Sequence, residues 1–73
     1  MEHLKAEVSA VKFVLEVDMS EGAVAEDAAK ELGRILRYWA GNVRHYELNA
    51  GDESSIYDSD YRDVGRWQIV ETP

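Results

Sequence analysis

The chain has 73 residues, 15 acidic against eight basic side chains for a net charge of −7, and no cysteine. That length makes one small domain (residues 1–73), near the lower limit for a chain that folds on its own core. The charge argues against a phosphate-binding surface over most of the molecule, and the lack of Cys excludes disulfides, thiolate metal sites and a cysteine nucleophile.

Residues 1–6 read as a flexible lead-in arm. From about Glu7 to Asp18, Val11, Phe13, Leu15 and Val17 alternate with Lys12, Val14, Glu16 and Asp18. A period of two in β-favouring residues predicts a half-buried strand. Val8 and Ala10 sit on the other parity, so a bulge or the true strand start is expected there.

Ser20 to Asn42 reads as one amphipathic helix, with Ser20 as N-cap and Met19 and Val24 placed to form a hydrophobic staple. The predicted inner face carries Val24, Ala25, Ala28, Ala29, Leu32, Ile35, Leu36 and Trp39. Acids come early (Glu21, Glu26, Asp27, Glu31) and arginines late (Arg34, Arg37), which complements the helix dipole. Glu26 and Lys30 have the favourable i,i+4 order, and Gly41-Asn42 supplies a stop signal. Gly33 on the outer face costs about 1 kcal/mol against Ala for no evident local reason.

Arg44 to Ser55 reads as a loop, followed by strands at Ser55–Tyr57 and Val64–Glu71 around a turn at Asp58–Asp63. Gly65, on the parity of Trp67 and Ile69, leaves room for an aromatic ring from the helix. The order strand–helix–strand–strand predicts an α+β domain of β-α-β-β form, one long helix on a three-stranded antiparallel sheet in the order 1-3-2. The face away from the helix would carry Val14, Val70 and Tyr57, a surface for a second copy. With a thin core and no staple, a homodimer is expected.

No pattern of nucleophile, base and orienting group appears, and no glycine-rich phosphate loop, so the chain is expected not to be an enzyme and to need no cofactor. Asp58-Ser59-Asp60-Tyr61-Arg62-Asp63 has alternating acids, but Arg62 stands where a third calcium ligand belongs, and turn chemistry accounts for the same residues. His3 and His45 lie apart in polar contexts and suit capping or exposure. Trp39 and Trp67 are the expected core anchors. Arg34, Arg37, Tyr38 and Tyr61 lie off the core face and are the candidate partner-binding residues. Arg34, Arg37 and Arg44 with Tyr38 and Tyr46 form a weak nucleic-acid footprint. Acids at Glu16, Asp18, Glu21, Glu26, Asp27 and Glu31 raise a second possibility, a decoy that imitates DNA. No apolar run reaches the ~18 residues of a membrane span and no signal-peptide core is seen, so a cytoplasmic protein without a membrane partner is expected.

The strand around Val11–Asp18, the helical run through Glu31-Leu32-Gly33-Arg34-Ile35-Leu36-Arg37 to Trp39-Ala40, and the hairpin Ile56-Tyr57-Asp58-Ser59…Val64-Gly65-Arg66-Trp67-Gln68-Ile69 together resemble a group of small uncharacterised proteins of actinobacteria and their phages. Many of those carry an Asn-Gly turn between the last two strands, where this chain has Tyr61 and Arg62. The resemblance spans most of residues 11–71. It implies the same strand–helix–hairpin fold and a phage or mobile-element accessory context, with no catalytic residue to transfer.

Overall fold

The computed structural model describes residues 10–72. The expected arm at 1–6, the strand start at Glu7, Val8 on the shifted parity and His3 lie outside them. Strand β1 (Ala10–Val17) leads into a short helix α1 (Gly22–Glu26) and a long helix α2 (Ala28–Asn42). A 3-10 turn (Val43–His45), β2 (Glu53–Tyr57) and β3 (Asp63–Thr72) complete the order. The sheet is antiparallel throughout in the order β1-β3-β2. The molecule is thus the expected α+β fold, with one long helix over a three-stranded sheet.

Register sorts the side chains. Phe13 faces Ile69, Leu15 faces Trp67 and Val17 faces Gly65, while Ser54 and Ile56 lie across from Trp67 and Gly65. Directly paired residues share a sheet face, so these all lie on the helix side. There Ile35 and Trp39 of α2 pack on Ile56, Trp67 and Ile69. Trp67 is fully buried and Trp39 nearly so, as expected of both. Rings from Phe13 to Trp67, Trp67 to Tyr46, and Trp67 to Trp39 stand 4.9–5.6 Å apart, so aromatic packing supplies much of a small core.

The single predicted helix is two. Asp27 has φ −150° and ψ 82°, outside helical geometry, and its carboxylate accepts from the Lys30 amide at 3.2 Å, capping α2. Ser20 caps nothing: its amide and hydroxyl donate to Asp18, and the N-cap position falls to Glu21, so Met19 and Val24 no longer hold the N′ and N4 positions of a staple. The buried stripe is also narrower than the predicted face. Val24, Glu31, Ile35 and Trp39 are buried, whereas Ala25, Ala29 and Leu36 are exposed. The dipole account of the late arginines fails as well, since no basic residue occupies the last turn of α2. Glu26 and Lys30 fall on either side of the break and form no ion pair; Arg34–Glu31, at 3.5 Å, is the one pair among the described residues. Gly41-Asn42 does not stop the chain in a left-handed cap. Asn42 donates its side-chain amide to the Tyr38 carbonyl, and the backbone tightens into the 3-10 turn.

Gly65 makes room for backbone, not for a ring. A Cβ there would stand 1.9 Å from the Glu16 carbonyl oxygen, because β1 presses against β3 at that point. The sheet face away from the helix carries Val14 and Val70, as expected, but Lys12, Glu16, Glu53, Ser55, Arg66 and Gln68 share it. Tyr57 does not extend that face. A register irregularity between Ile56 and Tyr57 lets its ring line a groove beside α2. The open face is therefore mixed and largely polar, a poor apolar seat for a second copy.

Candidate functional site

The turn after β2 is closed by its own aspartate and tied to α2 by Glu31. Asp58 Oδ1 accepts from the amides of Asp60 at 2.8 Å and Arg62 at 2.9 Å, so the turn chemistry expected of Asp58–Asp63 closes the loop around one buried carboxylate. Its other oxygen stands against Gly22, where an added Cβ would come 3.1 Å away, and the positive φ of Gly22 makes that approach possible. The Arg62 amide above all, with the Asp60 amide, the Arg62 charge and the Ala23 amide, holds the Asp58 carboxyl below the usual aspartate range against the opposing effect of burial.

Glu31 makes the second link. Its Oε1 accepts from the Ser59 amide at 3.1 Å and from Arg34 at 3.5 Å, and its Oε2 accepts from the Ser59 hydroxyl. The Ser59 hydroxyl is the main reason its carboxyl lies below the usual glutamate range. This explains how Glu31, read from sequence as one of the early acids and not as part of the inner face, lies buried beside Ile35. Arg34 then reaches past Glu31 to donate to the Tyr57 carbonyl at 2.8 Å, tying α2 to the end of the edge strand β2.

Between α2 and β2 these contacts leave a groove of about 260 Å³. All four tyrosines of the chain, Tyr38, Tyr46, Tyr57 and Tyr61, line it, together with Arg34, Ser54 and Ser55. Tyr38, Tyr57 and Tyr61 are half or more exposed, Tyr61 at 87%. Tyr61 holds a left-handed conformation with φ 62°. The backbone there makes the tight turn with a tyrosine in place and presents its ring outward.

Of the four residues proposed from sequence for partner contact, Arg34, Tyr38 and Tyr61 meet in this groove and Arg37 does not. Arg37 lies back over Gly33, with Nη1 3.3 Å from where a Cβ would stand. Arg44 and His45 are exposed on the 3-10 turn. Sequence reasoning missed Tyr57 as a groove residue, and it missed Glu31 and Ser59 as the link that shapes the groove. The spacing Val24, Ala28, Glu31, Ile35, Trp39 was available as a helical stripe, but a carboxylate in it gave no sign of its distant partner.

Among the described residues no group of His, Asp and Glu is placed to hold a metal ion, and no helix is long and apolar enough to cross a membrane. No protein-family model, curated protein or solved structure matches the chain.

Proposed function

We propose that this protein is a non-enzymatic interaction module that holds a partner protein in the groove between α2 and β2. The observation that carries the reading is the gathering of every tyrosine of the chain along one cleft. Tyr is enriched at binding hot spots, and its ring buries much area with only two side-chain torsions to fix while its hydroxyl still offers a polar contact. The polar groups nearby serve structure: Ser59 is engaged by Glu31, and Asp58 by its own turn. The sequence resemblance suggests a phage or mobile-element accessory role for such a module.

The two nucleic-acid readings have less behind them. Arg34 is occupied by Glu31 and the Tyr57 carbonyl, which leaves Arg37 and Arg44 as a small footprint for phosphate. Of the six carboxylates expected of a DNA decoy, Glu21 and Glu26 stay exposed and, among the described residues, unengaged, and the other four are engaged or lie elsewhere. Glu31 is buried, Asp18 holds Ser20, Asp27 caps α2, and Glu16 lies on the far sheet face.

Affinity capture from host lysate with and without nuclease separates these readings, followed by titration of the purified captured protein. Capture should survive nuclease, and Tyr38→Ala should weaken the titrated affinity about tenfold or more. Capture lost on nuclease treatment would transfer the function to nucleic acid, and an unchanged affinity in Tyr38→Ala would remove the groove.

A further inference from the structure

β1 is an edge strand whose outer side pairs with nothing among the described residues. The Asp18 amide donates to the Val64 carbonyl at 2.7 Å, in the same register as the β1–β3 ladder. In an antiparallel pair, hydrogen-bonding residues alternate along each strand. The even-numbered residues of β1 therefore turn their amides and carbonyls to β3. Those of Val11, Phe13, Leu15 and Val17 point to the open edge. Val11 is 60% exposed and Phe13 48%. Immediately inside this edge runs an apolar groove of about 380 Å³, bounded by Phe13, Leu15, Leu36, Val43 and Leu48. A bare edge beside an apolar groove invites strand addition.

We propose that the occupant is a second copy of this chain, joined edge to edge through β1 about a two-fold axis at Val14. The charges of β1 select both partner and register. Antiparallel pairing centred on Val14 places Lys12 opposite Glu16 of the other copy, twice by symmetry. Phe13 then faces Leu15, and Val11 faces Val17. The parity also fits: the outward-pointing residues Val11, Phe13, Leu15 and Val17 pair with one another and form about eight backbone hydrogen bonds. Lys12–Glu16 falls at the non-hydrogen-bonded positions, where opposed side chains approach most closely. Sliding the strands by two residues one way sets Lys12 against Val14 and Glu16 against Ala10. Sliding the other way sets Glu16 against Val14 and offers Lys12 only Asp18, which already holds Ser20.

In the Val14-centred register the helix-side residues stay on one face. The sheet becomes six-stranded and continuous, and the two apolar grooves flank the seam. Lys12, which alone would discourage edge-to-edge aggregation, becomes the residue that admits one arrangement. This edge lies apart from the tyrosine groove and shares with the proposed function only the idea of an interaction module.

The test uses purified protein with no partner, so its failure leaves the groove untouched. Sedimentation should show the wild type as a dimer at micromolar concentration. Lys12→Glu and Glu16→Lys should each weaken self-association about tenfold, since each places like charges opposite one another twice. An equimolar mixture of the two, one isotope-labelled, should form the heterodimer preferentially in native mass spectrometry, because every mixed pair is again opposite in charge. Val11→Pro removes one outward amide without touching the β1–β3 ladder and should also lower self-affinity while leaving the circular dichroism unchanged. A monomer at millimolar concentration overturns the proposal. So does a dimer indifferent to the charge reversals, or a mixture with no heterodimer preference.

Discussion

Gly33 and Gly65 both sit inside regular elements, yet a methyl group would meet different neighbours at each. At Gly33 it meets the end of the Arg37 side chain, which can swing away. Gly33→Ala should therefore stabilise the protein by about 0.5–1 kcal/mol, the ordinary gain in a helix interior. At Gly65 it meets the Glu16 carbonyl oxygen and the Val17 Cα, and neither can retreat without opening β1 from β3. Gly65→Ala should cost about 3 kcal/mol, the upper end for overpacking. Urea unfolding of the two variants beside the wild type measures both, and equal and small effects would mean that the strands do not approach as described. Nothing in the pattern Val64-Gly65-Arg66-Trp67 distinguishes the two cases. A space reserved for a ring and a space filled by backbone look the same in one dimension.

At the scale of elements, a single residue divides the helix. An aspartate inside an amphipathic run is ordinary in sequence, and its short side chain can bond the backbone and compete with the helix. Asp27 does so, and α2 starts behind it. Asp27→Ala should cost about 1 kcal/mol as a lost N-cap. Ser20→Ala, the position that local pattern favours, should cost less, because Ser20 contacts only Asp18 at an exposed bend. Thermal unfolding followed by circular dichroism ranks the two, and a larger loss at Ser20 would restore the longer helix. Leu36 is 54% exposed while its neighbour Ile35 is 1% exposed, because the helix meets the sheet along the line of Glu31, Ile35 and Trp39 and Leu36 lies about 100° round from it. The stripe continues through Glu31 because Ser59, in another element, satisfies that carboxylate.

For the molecule as a whole, Glu31 ties the hairpin turn to α2, Asp58 closes that turn, and both contribute to how stability responds to acid. Both carboxyls are held below their ordinary range in the folded state, Glu31 chiefly by the Ser59 hydroxyl and Asp58 chiefly by the Arg62 amide. The unfolded chain then binds protons more readily than the folded one in acid. Their contribution is complete above the ordinary carboxylate range of about 4 and is lost as pH falls below it through the lowered folded values. The unfolding temperature should be flat from neutral pH to about pH 5 and fall steeply below pH 4. Ser59→Ala should lower the midpoint at neutral pH and make the acid slope shallower. An unchanged slope would mean that Glu31 is not held by Ser59.

What the sequence by itself determined is what short-range periodicity encodes. The alternation of Val11 to Val17 and of Val64 to Ile69 made strands, and the spacing of Ile35 and Trp39 made a helix with a buried side. The order of these elements left few sheets to build, and the 1-3-2 arrangement followed with Trp39 and Trp67 at its centre. Arg34, Arg37, Tyr38 and Tyr61 read as partner-facing surface residues in the sequence, and all but Arg37 meet in the groove. Only the tertiary structure decided which distant groups meet: Ser59 with Glu31, the Glu16 backbone with Gly65, Tyr57 with the groove, and Arg34 with the end of β2. Periodicity records which side of an element avoids water. It does not record which polar atom, far along the chain, will satisfy a buried one, and those pairings shape the groove.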